Sequence, residues 1–311
     1  MRLIEADATI AALSPGRLVE AIRDLFATGC CVPTRHHHSV EVPGGPAGTL
    51  LLMPAWQIGG SLGVKVVTVF PGCSERGMPA VTATYLLLDA TDGTVQGVMD
   101  ASELNCRRTA AASALAARYL ARKDAARLLV IGTGRVAREL IRFHAATHTG
   151  ITRIDLWGRT AAHAARLAQD FGAEGLTVNV VSDLDQSVRD ADIISAATLA
   201  TEPLIRGDDV RPGTHVDLVG GFTPTMREAD DALIRKASVF VDTRAGALKE
   251  AGDLVVPLAQ GFLSPESIVD LTALCREQHP GRRSDQEITV FKSVGTALED
   301  LAAAKLVFGA V

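Results

Sequence analysis

The chain has 311 residues, of which 47% are apolar and 22% charged, with a formal net charge of −5. That length suits about two domains of roughly 150 residues each, and the composition excludes wholesale disorder. Lys and Arg are scattered rather than gathered in a stripe, so charge gives no reason to expect nucleic acid and points to a small-molecule partner.

At the start of the chain, Met1 to Ala12 includes Arg2, Glu5 and Asp7 and lacks the continuous apolar stretch of a secretion signal. No window approaches the roughly 18 uninterrupted apolar residues of a membrane span. Five cysteines, at 30, 31, 73, 106 and 275, form no C-x-x-C pair. An odd count of that kind reads as free thiols in a reducing compartment, so a cytoplasmic protein is expected. Cys30 and Cys31 are expected to be buried rather than reactive. His36, His37 and His38 follow directly, but consecutive residues of an extended chain point to alternate sides. No further ligand stands at a familiar spacing, so no metal is expected.

Short β-like runs come next: Leu50 to Met53, Gly63 to Phe70 and Thr82 to Asp89, each apolar or β-branched and bounded by Gly or Pro. Asp92-Gly93 signals a hairpin, because Gly accepts positive φ without steric cost. Strands in series with close turns predict an antiparallel sheet. From Ser102 to Arg122 the sequence turns Ala-rich and helical. A strand over 127–131 then opens an alternating region. Strands are predicted at 153–157, 177–181, 192–197, 215–219 and 239–242, with helices at 136–147 and 161–171 among them. Buried parallel strands separated by helices define a doubly wound sheet. The chain closes with a strand over 288–291 and a helix over 294–311, which can return to the first domain and make the α/β domain an insertion.

The sharpest local signal is LLVIGTGRVA. Gly132, Gly134 and Ala137 form G-x-G-x-x-A directly after a strand and at the start of a helix. Gly132 permits the tight turn, Gly134 leaves room for a pyrophosphate against the backbone, and Ala137 lets helix and strand pack closely. The amides of the turn, with Thr133, Arg135 and Val136, then face the diphosphate at the positive end of the helix. The competing reading is a Gly-rich turn without a ligand. The next strand tip decides the cofactor. A NAD binder carries an acid there for the ribose hydroxyls, whereas this chain has Gly158-Arg159-Thr160. Arg159 pairs with a 2′-phosphate and Thr160 donates to it, so NADPH is favoured, with NADH as the alternative. Asp155 competes but lies within the strand, and Thr160 also suits a helix N-cap.

With these residues in hand, the chain resembles the ornithine cyclodeaminase/μ-crystallin family over nearly its whole length. The resemblance is carried by GVKVVTVFPG (63–72), GMPAVTATYLLLDATDG (77–93), RRTAAASALAARYLAR (107–122), VIGTGRVAREL (130–140), VGGFTPTMREAD (219–230) and ITVFKSVGTALEDLAAAKLVF (288–308). It implies an α/β protein with a Rossmann-type domain (121–288) inserted in an α+β substrate and dimerisation domain (1–120 with 289–311), assembled as a homodimer. The implied activities are ornithine cyclodeamination, cyclic imine reduction, alanine dehydrogenation and ketimine reduction.

The family's substrate-carboxylate cluster falls on Arg35, Lys65 and Arg108, with Thr84 also on the substrate side. Lys65 and Arg108 are the residues to which catalysis is assigned, Lys65 also helping to keep the ring nitrogen's proton in place. One of the three histidines would line the pocket beside Arg35. Thr198, Lys292 and Ser293 would sit at the cofactor. A guanidinium holds a carboxylate through two parallel hydrogen bonds, and a lysine adds a point charge. Read without the family, Lys65 is either a paired cation within an apolar strand or a strand-face lysine in solvent. Arg108 is equally a helix-face charge, and Arg35 a solvated loop arginine. One departure matters: cyclodeaminases carry an acid after the paired glycines, where this chain has Phe222. A phenyl ring cannot take a proton from an amine. The resemblance therefore implies NADPH-dependent reduction of cyclic 2-imino acids, such as Δ1-pyrroline-2-carboxylate to L-proline or Δ1-piperideine-2-carboxylate to L-pipecolate. The alternatives are an ornithine cyclodeaminase or amino-acid dehydrogenase, and a non-catalytic NADPH-binding protein resembling a crystallin. If Phe222 merely packs in the core, the acid is equally missing.

Overall fold

The computed structural model describes residues 1–310. They divide into two compact units, residues 1–108 with the segment from Thr296 onward, and residues 109–295. The first unit opens with β1 (Arg2–Ile4), α1 (Ala6–Ala12) and α2 (Pro15–Thr28). It continues with β2 (His36–Val40), β3 (Gly48–Trp56), β4 (Ser61–Val69), β5 (Val81–Asp89) and β6 (Val95–Asp100). These strands form one sheet in the order β1-β6-β5-β4-β3-β2. Strands β2 to β6 pair antiparallel, as the turn-bounded runs predict, while β1 joins β6 in parallel. Gly93 turns the β5–β6 hairpin at φ +77°, and Asp92 accepts from the Thr94 amide at 2.8 Å. Asp100 ends β6 and accepts from the Ser102 amide at 2.9 Å, starting the Ala-rich helix α3 (Ala101–Leu120).

The second unit alternates strands and helices: β7 (Arg127–Ile131), α4 (Arg135–Thr147), β8 (Arg153–Trp157), α5 (Ala161–Ala173), β9 (Asn179–Val180), α6 (Leu184–Asp190), β10 (Ile193–Ala196) and β11 (His215–Leu218). There follow α7 (Asp231–Lys236), β12 (Ser238–Val241), α8 (Arg244–Glu250), α9 (Gly252–Ala259), β13 (Val269–Asp270), α10 (Leu271–Cys275) and β14 (Thr289–Lys292). Every pairing among the eight strands is parallel, in the order β13-β12-β14-β11-β10-β7-β8-β9. The chain runs outward from β7 through β8 to β9, then crosses back to β10 on the other side of β7. That reversal is the topological switch point, where ligands of such sheets bind at the strand C-termini. Apolar side chains such as Leu129, Ile131, Ile194, Val216, Leu218 and Val290 fill the sheet interior.

Of the boundaries that differ from the sequence prediction, three have a specific local reason. The strand expected over 177–181 shrinks to two exposed residues, because β9 is an edge that pairs only with Asp155 and Leu156. Helix α3 stops at Leu120, whose carbonyl is taken by Arg282 Nε at 2.6 Å and Thr289 Oγ1 at 2.9 Å. The last helix, α11 (Ala297–Phe308), starts three residues late. Asp242 holds the Val294 and Gly295 amides at 2.8 and 2.6 Å in a turn where Gly295 has φ +80°. The cysteine expectation also needs correction. All five are free, but Cys31 is exposed and Cys30 half-buried, because the Cys31 backbone pairs with Trp56 in a lone bridge that gives its side chain no cover.

In the first unit, α11 packs on β3, β4 and β5 and against α2. Beneath it runs a cross-strand row of register partners, Met53, Lys65, Tyr85 and Met99, all buried. Three of the four can be buried without an ionic partner. Lys65 cannot.

Candidate functional site

The glycine turn between β7 and α4 has the shape its residue types require. Gly132 stands at φ +126°, and a methyl there would lie 2.5 Å from the Ala197 carbonyl oxygen. Ala197 directly follows β10, so the turn closes on the neighbouring strand end at the switch point. The Gly132 amide donates to Trp157 O at 2.9 Å. Gly158 is equally constrained, since a Cβ there would meet Thr133 Cγ2 at 2.5 Å. Ala137 is fully buried under the turn. Gly134 is different in kind: it has ordinary dihedrals, is exposed, and would meet nothing within 4 Å if it carried a Cβ. Its smallness serves no internal packing and leaves a space beside the backbone. It is the N-cap of α4, and no side chain caps that helix. Amides of a first helical turn find no acceptor within their own helix. A cleft of about 330 Å³ opens here, lined by Thr133, Gly134, Arg135, His163, Arg166 and Leu167 and by Arg138 with its ion-pair partner Asp170. An open cradle of amides at a positive helix end, with Arg135 and Arg166 on a rim where Asp170 is paired to Arg138, fits a dinucleotide diphosphate.

At the tip of β8, Arg159 and Thr160 are both exposed. Thr160 occupies the N-cap position of α5, but its side chain makes no cap hydrogen bond. Asp155 is buried within β8 and is engaged by Arg153 Nε at 2.8 and 3.0 Å. It lies away from the tip, where the exposed groups are a guanidinium and a hydroxyl.

Thr198 lies in the loop after β10, Lys292 ends β14 and Ser293 follows it. Thr198 is half-buried, and both its amide and its hydroxyl donate to Glu228 Oε1, at 2.7 and 2.9 Å. Ser293 is buried and donates to Asp242 Oδ2 at 3.0 Å. Lys292 is fully buried, with Nζ 3.0 Å from Asp253 and 3.8 Å from Glu228.

In the first unit, Lys65 and Arg108 converge. Lys65 is only 1% exposed, which excludes the solvated strand-face reading. Its Nζ donates to Asn105 Oδ1 at 2.9 Å and to Asp300 Oδ1 at 2.8 Å. Arg108 donates to the same Asn105 oxygen at 2.7 Å and to Glu299 Oε2 at 2.7 Å, with Nε 2.9 Å from Asp300. Two cations thus share one amide oxygen and one carboxylate. Burial lowers the Lys65 pKa to about 8, and the Arg108 charge pushes in the same direction. Arg35, in the loop before β2, is close enough to Lys65 to act on it electrostatically and is half-buried. Thr84 is not brought to this cluster. It is register partner to Val66 and Asp100, hence on the face opposite Lys65 and Tyr85, and it is exposed. The three histidines lie on the exposed edge strand β2, His36 and His38 with ring centroids 6.2 Å apart. Among the described residues no three metal-ligating side chains are gathered. Phe222, 49% exposed, is not packed in the core.

Sequence reading missed Asn105, Glu299 and Asp300. Thr296-x-x-Glu299 reads as a capping box, and acids in a first helical turn are ordinary. The available signal was the context: an acidic pair inside GTALEDLAAAKL, a helix too apolar to be exposed, demands buried cations.

Fold and glycine turn together define a Rossmann-type α/β protein. The chain belongs to the ornithine cyclodeaminase/mu-crystallin family, whose profile matches residues 13–311. It is 42% identical over 290 residues to a Delta(1)-pyrroline-2-carboxylate reductase of Paracoccus denitrificans, covering 93% of this chain and 90% of that one. It is 35% identical to the ketimine reductase mu-crystallin of Rattus norvegicus, over 84% of this chain and 80% of that one. Among solved structures, Thermococcus litoralis Delta(1)-pyrroline-2-carboxylate reductase, in complex with NADH and L-proline, superposes with a TM-score of 0.93 at 30% identity. That match covers 100% of this chain and 97% of the other. Among the described residues no helix is long and apolar enough to cross a membrane.

Proposed function

We propose that this protein is an NAD(P)H-dependent imine reductase that converts Δ1-pyrroline-2-carboxylate to L-proline and, in the same way, the six-membered Δ1-piperideine-2-carboxylate to L-pipecolate. One observation carries the reading: a chain with an open amide cradle for a dinucleotide also holds two buried cations, Lys65 and Arg108, on a common acceptor 2.9 and 2.7 Å away. The names of its relatives point to the same chemistry.

The substrate-binding role is assigned to Arg35, Lys65 and Arg108, which would hold the imino-acid carboxylate. Lys65 Nζ is held by Asn105 Oδ1 and lies 2.8 Å from both oxygens of Asp300, which fixes its charge where a substrate carboxylate would dock. When bound, the reduced nicotinamide supplies a hydride to the imine carbon. Clamping the carboxylate fixes that carbon's orientation, and near-attack positioning supplies much of the rate. Water is already excluded around Lys65, which strengthens each charge-assisted bond. Phe222 offers no acceptor for an amine proton, so the ornithine-consuming reaction lacks its base.

Gly132, Thr133, Gly134, Arg135, Val136 and Ala137 are assigned to the diphosphate, and Arg159 with Thr160 to a 2′-phosphate, favouring NADPH over NADH. The Rossmann-type domain expected over 121–288, within the compact unit of residues 109–295, would be the nucleotide domain, and 1–120 with 289–311 the substrate and dimerisation domain. A homodimer is supported by the second face of the β3–β4–β5 sheet. There Leu52, Val64, Val66 and Leu86 form a half-exposed apolar patch of register partners.

The deciding experiment follows loss of NADPH absorbance with five- and six-membered cyclic imino acids, set against ammonia release from ornithine with NAD+. Turnover of the imines without ammonia release supports the reading. Binding of NADPH with no turnover of any imine would indicate a carrier protein and sink it.

A further inference from the structure

Beneath the ends of the central strands, three charged side chains of the nucleotide unit are fully buried: Glu228, Asp253 and Lys292. Glu228 uses both oxygens. Oε1 accepts from the Thr198 amide at 2.7 Å and the Thr198 hydroxyl at 2.9 Å, and Oε2 accepts from the Gly220 amide at 2.7 Å. Thr198 lies just beyond β10 and Gly220 just beyond β11, and a methyl on Gly220 would collide with the Thr198 backbone. One carboxylate therefore ties together two abutting loops at the strand C-termini. Asp253 Oδ1 in turn fixes Glu228 by accepting from the Glu228 and Ala229 amides, at 2.7 and 3.0 Å. Lys292, at the end of β14, places Nζ between Asp253 and Glu228.

We infer that Glu228 is the positioning residue of this cofactor site, setting the loops after β10 and β11 on which the nicotinamide half of the dinucleotide rests. Lys292 acts through Glu228 and Asp253 instead of touching the cofactor. The inference rests on the nucleotide-binding reading above and adds a residue to it. A purely stabilising role is the bland alternative, and the energetics oppose it. Burial raises the Glu228 pKa to about 7, with Asp253 adding to the rise and Lys292 opposing it. An acid whose folded pKa exceeds its unfolded value stabilises the fold below the unfolded pKa, and that stability is lost as pH rises toward 7. Ionised Glu228 thus costs stability while holding the loops. Buried ion clusters are commonly no more stable than apolar replacements.

The charged groups facing Glu228 are Lys292 from β14 and Asp253 from α9. Protonation of Glu228 leaves one fewer acceptor for the two loops. The test measures the NADPH dissociation constant by fluorescence at about pH 6 and about pH 8, alongside the thermal midpoint. The parent is expected to bind more weakly at the lower pH. Glu228→Gln should bind about 10-fold more weakly at the higher pH, lose the pH dependence, and melt no lower than the parent. A folded Glu228→Gln protein that binds NADPH like the parent at both pH values overturns the inference. Should that variant fail to fold, Lys292→Met decides. Removing the cation should move the midpoint of the pH dependence upward, whereas uniformly weaker binding with the same midpoint would mean that Lys292 contacts the cofactor. A parent that binds no dinucleotide at either pH overturns the nucleotide reading, and this inference with it.

Discussion

A lone ammonium at the position of Lys65 would carry a penalty of several kcal/mol, and Asp300 and Asn105 are what make it tolerable. Truncating one member of such a buried, charge-assisted set costs about 2–5 kcal/mol, or roughly 30-fold or more in kcat/KM where a substrate carboxylate is the lost partner. Lys65→Ala and Arg108→Ala should therefore raise KM and depress kcat/KM for the imine by at least that factor, with NADPH affinity nearly unchanged. Parent-like turnover by both variants would remove the clamp assignment. The shifted Lys65 pKa, about 8, adds a pH signature. Above it the ammonium loses its proton, so KM should climb as pH passes 8. Lys65→Met should abolish that rise, and a KM that stays flat to pH 10 in the parent would contradict the role. Because a lowered lysine pKa means the charged form is disfavoured in the fold, the associated stability penalty is present below pH 8. It is relieved as pH rises from 8 toward the ordinary lysine value of 10.5.

At the scale of single elements, the β7–α4 turn separates two kinds of glycine. Gly132→Ala forces a side chain onto φ +126° and against the Ala197 carbonyl, so it should destabilise the protein by about 1–2 kcal/mol or more. Gly134 carries no such strain. Gly134→Val should leave the thermal midpoint within a few degrees of the parent while raising the NADPH dissociation constant about 10-fold or more, since the added atoms fill the space beside the amides. A normal dissociation constant in Gly134→Val would mean that the diphosphate lies elsewhere. At the next strand tip, Arg159→Asp replaces the phosphate partner with a ribose partner and should shift preference from NADPH toward NADH, as kcat/KM ratios would report. An unchanged ratio would discard the argument from this tip. Both elements are local, a strand and a turn entering a helix, which is why a ten-residue window sufficed to find them.

For the whole molecule, the apolar face of the first sheet is the feature most in need of a partner. Leu52, Val64, Val66 and Leu86 alternate with the buried row and stay half-exposed in a single copy. On the proposed homodimer, Val66→Glu puts a charge in the centre of that face and should yield a monomer by sedimentation, with residues 109–295 still folded. A variant that sediments like the parent would place the interface elsewhere.

By itself the sequence determined whatever depends on neighbours within about 20 residues. It settled the alternation of strands and helices, the antiparallel run of turn-bounded strands and the glycine turn, because periodicity and turn chemistry act locally; the missing acid at Phe222 came from the family resemblance. Only the tertiary structure decided what Lys65 and Arg108 are paired with, since Glu299 and Asp300 lie about 200 residues away and look like helix-capping acids until α11 is laid over the sheet. The same holds for Lys292, whose burial between Glu228 and Asp253 follows from β14 inserting beside β11. It holds too for Thr84, which the strict two-residue alternation of β5 sends to the face opposite Lys65. Charges pay for burial through partners brought in by chain crossings, and no local pattern records which partner a crossing will bring.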